Sequence, residues 1–237
     1  MTDAPLTQRQ KWLALALLAS TQFVIVLDAA IVNVALPTVG RDLKIAQDNL
    51  SWVVNAYVLT FGGFLLLGGR LADLLGRRRL FIGGLFVFSV ASLLGGLAAN
   101  EGQLIAARAL QGFGGALLAP AALSMVANMF AEGAERNKAL GVWGAVSGSG
   151  GAAGVLLGGL LTEYLGWEWV FWVNVPIGIA AAFLAPRMLR ESRKESGTRT
   201  FDVAGAVTVT GGLALLVFAL VDANRAGWES TQTIGLL

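Results

Sequence analysis

Two charges stand inside apolar sequence: Asp28 in LDAAIVNVALP (Leu27 to Pro37) and Arg108 in LIAARALQGFGGALLAP (Leu104 to Pro120). At the centre of a membrane helix each costs about 2.5–3.5 kcal/mol on insertion scales, so such residues mark a functional site and its partner. Asp28 lies nine residues before Pro37, and Arg108 eight after Asn100. If the two segments run in opposite directions, a rise of about 1.5 Å per residue puts both charges roughly 12 Å from the same face, at similar depth. A buried Arg holds a nearby carboxylate in its charged form. Such a pair could trade a proton for a cationic cargo as the protein rearranges, or stand as a static buried ion pair; the residues alone leave both open. Asn33, five residues beyond Asp28, and Gln111, one turn beyond Arg108, complete the set of proton-coupling and cargo candidates. The chain has no Cys and no His, which excludes disulfides, thiol nucleophiles and the usual zinc sites. Proton chemistry must run on Asp, Glu, Tyr or Lys, and neither a metal nor a cofactor is expected.

The elements that position these residues are membrane helices. Apolar residues make up 56% and charged residues 14%, against roughly 45–50% and about 25% in soluble domains. Seven stretches approach the roughly 20 apolar residues of a span: about 12–36, 50–69, 80–99, 104–129, 139–161, 169–186 and 203–221. Short connections predict antiparallel neighbours in an all-α bundle. With the N-terminus inside, thirteen basic residues fall on the cytoplasmic side: Arg9, Lys11, Arg70, Arg77, Arg78, Arg79, Arg136, Lys138, Arg187, Arg190, Arg193, Lys194 and Arg199. Arg41, Lys44 and Arg225 fall outside. That imbalance predicts a cytoplasmic N-terminus. The net charge of +2, spread over loops, gives no reason to expect nucleic acid. The first apolar stretch is too long for a signal peptide and lacks a small-x-small cleavage site, so it is expected to remain as a span.

An internal echo organises the spans. GGRLADLLGRRRLF (Gly68 to Phe81) and GGLLTEYLGWEWVF (Gly158 to Phe171) share Gly-Gly-x-Leu-x-acid-x-Leu-Gly and a later Phe. The first copy carries Arg70 and Arg77 to Arg79, the second no base. Basic loops stay inside and base-poor loops cross, so the unit occurs twice with opposite orientation. Inverted repeats are typical of secondary transporters, which bind cargo where the repeats meet. The repeats are placed at about 12–99 and 104–186, in a six-span bundle over 1–186. A cytoplasmic linker at 187–201 leads to a seventh span and the start of an eighth at 202–237. The chain reads as the N-terminal portion of a longer transporter.

Gly69, Leu71, Asp73, Gly76, Arg77 and Arg78 resemble the loop between the second and third spans of the major facilitator superfamily. The glycines permit a tight reversal, and Asp73 can pair with Arg77 or face a helix N-terminus. Either a gate latch or a topology anchor would use them. The Asp28 segment resembles the first span of the superfamily's fourteen-span drug:proton antiporter branch, with Ala30 where the family has Thr. Leu104 to Pro120 resembles its fourth span. In the fifth, Gly141, Gly150, Gly154, Gly158 and Gly159 match the antiporter motif, although Val155 stands where the family has Pro. The proline kink is therefore not expected, and the glycine stripe also suits close helix packing alone. Trp167 to Gly178 and Phe201 to Val209 resemble the branch's sixth and seventh spans.

The resemblance implies a major facilitator fold and a bacterial inner-membrane protein exporting amphipathic or cationic drugs or antibiotics in exchange for protons by alternating access. Its partners would be small-molecule cargo, protons and lipid. Export of a metabolite, peptide or siderophore by the same fold is the alternative. A seven-span receptor fits only the helix count. An intramembrane hydrolase would need paired carboxylates or metal ligands beside Asp28, so no enzyme is expected. No GxxxxGK[ST] loop is present to use ATP.

Overall fold

A computed structural model describes residues 6–192 and 203–236. Among them all regular structure is helical: α1 (Gln8–Asp42), α2 (Gln47–Leu50), α3 (Trp52–Leu75), α4 (Arg77–Gly96), α5 (Glu101–Met129), α6 (Ala134–Tyr164), α7 (Trp169–Trp172), α8 (Asn174–Met188), α9 (Val203–Ala226) and α10 (Thr231–Leu236). Caps set the starts that matter most. Thr7 and Gln10 form a reciprocal capping box at α1, and the Asn100 side chain accepts from the Gln103 N–H at 3.0 Å to open α5. Six segments are long and apolar enough to cross a membrane: Gln8–Asp42, Gln47–Leu75, Arg77–Gly96, Glu101–Met129, Ala134–Tyr164 and Trp169–Met188. These are the first six expected spans. The third begins at Arg77 rather than near residue 80, because Gly76 (φ 107°) reverses the chain within a single residue. α1 also continues through Pro37 to Asp42 instead of closing there.

The echo is repeated in three dimensions. Each copy ends a helix and turns at a glycine of nearly identical φ, 107° at Gly76 and 106° at Gly166. Each second span also leans on the first span of the other repeat, α3 on α5 and α6 on α1. The contacts are backbone-close. A Cβ on Gly68 of α3 would collide with the Ala116 carbonyl of α5, and one on Gly158 of α6 would lie 3.0 Å from the Ile31 carbonyl of α1. Without a strong hydrophobic drive between helices in lipid, small residues that let backbones approach supply the attraction. The bundle is thus two inverted three-helix repeats: α1, α3 and α4 in the first, α5, α6 and α8 in the second.

Beyond α8, residues 193–202 lie outside the described residues, and with them most of the expected linker, including Arg193, Lys194 and Arg199. Over the expected seventh span, α9 rests on α3. The rings of Trp52 and Phe218 are 6.0 Å apart, and a Cβ on Gly63 would lie 3.2 Å from that of Ala214. The short α10 follows where an eighth span was expected to begin. Two apolar cores fill the six-helix bundle. One surrounds Leu18, Phe81, Phe88 and Phe130; the other surrounds Ile31, Val39, Leu104 and Phe171. Asp28 sits where they meet.

Candidate functional site

Asp28 and Arg108 form one ion pair. Arg108 Nη1 donates to Asp28 Oδ2 at 2.7 Å, and the two side chains are 1% and 0% exposed. The depth count from Pro37 and Asn100 thus corresponds to direct contact. Around the pair the polar groups close on one another. Arg108 Nη1 donates to Gln111 Oε1 at 2.6 Å, and Arg108 Nε to the Val53 carbonyl at 3.0 Å. Gln111 Nε2 donates to Asp28 Oδ1 at 2.6 Å and to Ser92 Oγ at 2.7 Å. Asn174 Nδ2 donates to the same Asp28 Oδ1 at 2.7 Å. The guanidinium carbon lies 4.2 Å from the centre of the Tyr57 ring, over its negative face. Every group reaching the carboxylate is a donor, the arrangement an ionised Asp28 requires. A buried pair is favourable only when its remaining lone pairs and protons are satisfied, and here most of them are.

The network also joins the repeats. Asp28, Val53, Tyr57 and Ser92 belong to the first; Arg108, Gln111 and Asn174 belong to the second. Of the hydrogen bonds above, only Arg108 to Gln111 stays within one repeat. Asn33 is not part of it: exposed on α1, it donates to the Ala29 carbonyl at 2.6 Å. Ser92, Tyr57 and Asn174 were not singled out from sequence, where a lone polar residue in an apolar span carries little signal. For Asn174 the available clue was an amide within WVNVPIG, deep enough to need a partner.

The five antiporter-motif glycines divide between two faces of α6. Cβ atoms at Gly150, Gly154 and Gly158 would lie 2.7 Å from the Phe23 carbonyl, 2.7 Å from the Leu27 carbonyl and 3.0 Å from the Ile31 carbonyl, one contact per turn of α1. Gly154 also abuts Ala30, whose Cβ would be 2.7 Å away. Gly141 and Gly159 face open space. Val155, 56% exposed, points away from α1, and α6 is continuous through it.

At the turn between α3 and α4, Arg77 Nη2 donates to Asp73 Oδ1 at 2.8 Å. A second acid, missed in the sequence because it lies in a basic connector, caps α4. Glu191 accepts from the backbone N–H groups of Arg78 and Arg79 at 3.1 and 3.2 Å, and the Arg77 N–H donates to the Ser192 carbonyl at 2.9 Å. Free N–H groups at a helix start favour such a carboxylate. Glu191→Gln is expected to speed amide exchange at Arg78 and Arg79 about fivefold to tenfold, the scale of a lost cap. Unchanged exchange would reduce Glu191 to a surface acid. Gly69, Arg70 and Asp73 border a recess of about 540 Å³, whose other walls include Gln22, Phe61, Leu65, Leu66, Leu123 and Trp143.

Comparison with known proteins agrees with this architecture. Residues 18–232 match the sequence profile of the Major Facilitator Superfamily, and the chain belongs to that family of membrane transporters. It is 47% identical over 228 residues to the puromycin resistance protein of Streptomyces alboniger, covering 96% of this chain and 45% of that one. It is 50% identical over 216 residues to the cephamycin export protein of Amycolatopsis lactamdurans (91% and 44% covered). With the tetracenomycin C resistance and export protein of Streptomyces glaucescens it shares 36% over 236 residues (100% and 44% covered). The chain therefore spans a little under half the length of these relatives. The crystal structure of a bacterial homologue of the human lysosomal transporter Spinster, inward-facing and unoccupied, superposes with a TM-score of 0.69 at 16% identity, covering 97% of this chain and 58% of that one. At that identity the likeness speaks for the fold alone.

Proposed function

We propose that the chain forms the first half of a proton-driven exporter of amphipathic drugs or antibiotics, working by alternating access in a bacterial inner membrane. The observation that carries the reading is the sealed Asp28–Arg108 pair across the seam between inverted repeats. A charge so expensive to bury, tied to both repeats, is suited to couple protonation to their packing. The relatives named for resistance to and export of puromycin, cephamycin and tetracenomycin C support the cargo class. The recess beside Phe61 and Trp143 has the volume and the apolar walls with a few polar groups that suit a drug-sized molecule. Arg70, Asp73 and Gln22 give it a polar end.

The test is efflux of a cationic dye from vesicles holding the intact transporter under an imposed proton gradient. Efflux is expected to require the gradient. Transport that ignores it would sink proton coupling, and export of a metabolite or siderophore without any drug would correct the cargo alone.

Orientation is tested by single-cysteine labels. Labels at 70–79 and 187–201 are expected to react only from the cytoplasm, and labels near 100–103 and 162–166 only from outside. Reaction of both echo loops from one side would overturn the assigned topology.

Asp73, paired with Arg77 beside the recess, is proposed as the latch of the cytoplasmic gate. Asp73→Asn is then expected to slow turnover while cargo affinity and abundance stay near parental, and Arg77→Ala to resemble it. Parental turnover in Asp73→Asn would leave the pair a topology anchor.

A further inference from the structure

A carboxylate that exchanges protons while buried must be hydrogen-bonded in both charge states, since an unpaired buried donor or acceptor costs about 1–3 kcal/mol. The charged state of Asp28 is served by three donors. The acid state gains an O–H and needs an acceptor. When Asp28 is protonated Arg108 stays partnered, because it keeps the Gln111 amide oxygen, the Val53 carbonyl and the Tyr57 ring. The open question is what accepts from Asp28.

Asn174 can. It is fully buried, its Nδ2 donates to Asp28, and its Oδ1 has no hydrogen-bond partner among the described residues. Asn174 also lines a small cavity of about 10 Å³ together with Thr21, Phe88, Leu118 and Gly178, about the size that admits one water. The Thr21 hydroxyl donates to the Leu18 carbonyl at 2.7 Å, which leaves its lone pairs free to accept.

We propose that this cavity is a one-water site, and that its water lets the Asn174 amide turn over as Asp28 gains or loses a proton. With Asp28 charged, Nδ2 faces the carboxylate and the water donates to Oδ1 and to Thr21. When Asp28 takes a proton from the aqueous phase, Oδ1 turns to accept the new O–H, and Nδ2 donates to the water, which donates onward to Thr21. Water suits the site because it gives and accepts equally. One proton enters and one leaves per cycle, with no other bond made or broken. The charged and titratable groups facing Asp28 are Arg108 from α5 and Tyr57 from α3; α4 presents Ser92 and α8 presents Asn174. Among the described residues no second acid faces Asp28.

The inference rests on the proton-exchange reading of Asp28, and infrared difference spectra of the intact transporter, taken between alkaline and acid buffer, separate the two. Expected together are a carboxylic-acid C=O band absent in Asp28→Asn, a side-chain amide band absent in Asn174→Leu, and an O–H band that shifts in ¹⁸O-water. Asn174→Leu is expected to lower proton-driven efflux about tenfold or more. Thr21→Val, which removes the hydroxyl that accepts from the water at nearly constant volume, should erase the water band even where the leucine variant fails to fold. An Asp28 acid band with still amide and water bands would overturn this inference alone. No acid band at any pH would overturn the proton reading and this inference with it.

Discussion

Arg108→Ala is expected to abolish proton-driven efflux and to destabilise the bundle by about 3–5 kcal/mol, the effect of leaving one member of a buried pair uncompensated. The side chain being removed holds Asp28, Gln111 and the Val53 carbonyl and packs on Tyr57, so loss of charge and loss of contact act together. Asp28→Asn is expected to fail likewise with cationic cargo, because an amide cannot take up and release the proton, while neutral cargo still exchanges down its gradient. Arg108→Lys should keep partial activity, since an ammonium supplies the charge but not the planar fork that reaches three acceptors. The measurement is efflux against pH beside thermal unfolding in the membrane. A parental rate and pH profile in Asp28→Asn would make the pair structural and place proton exchange elsewhere.

Gly154→Val should be nearly as damaging for a different reason. The first added carbon would lie 2.7 Å from both the Leu27 carbonyl and the Ala30 Cβ, and backbone cannot swing aside as a side chain can. The cost is expected at or above the roughly 1–3 kcal/mol typical of overpacking, and to appear as lost folded protein. Gly83→Val, at a glycine with nothing within 4 Å, is the control and should stay within about 0.5 kcal/mol of parental. Equal tolerance at both positions would mean that α1 and α6 are not held at backbone contact.

Six spans, their order and the repeat were legible because apolar length and the distribution of Arg and Lys are properties a linear sequence carries directly. Pairing of Asp28 with Arg108 was legible for a similar reason: helical rise converts sequence position into depth. Angular position is harder to read. The every-fourth spacing of Gly150, Gly154 and Gly158 marked a flat stripe, and that face meets α1, but nothing in the motif said that Gly141 and Gly159 would face open space. Asn33 stands five residues beyond Asp28, about 1.4 helical turns, which rotates it off the buried face. Ser92 and Asn174 become visible only once α4 and α8 converge on α1. Glu191 was hidden by company, as an acid among bases that reads like connector until the start of α4 is found beside it. The start of the third span was misplaced because three arginines look like loop, whereas Gly76 lets a helix begin with them.

The distance in sequence between the members of the buried cluster bears on how the protein is made. Asp28 precedes Arg108 by 80 residues and Asn174 by 146. A ribosome feeding helices to the membrane in order therefore delivers the acid long before its counter-charge. Until α5 emerges, α1 must either wait at the lipid headgroups or enter as a neutral acid, at no more than the about 2.5–3.5 kcal/mol that insertion scales assign to a central charge. Arg108 then arrives to a partner already in place, and Asn174 comes last. The seam between the repeats is thus also a checkpoint of biogenesis: the second three helices can bury their arginine cheaply only against a first three that is already assembled.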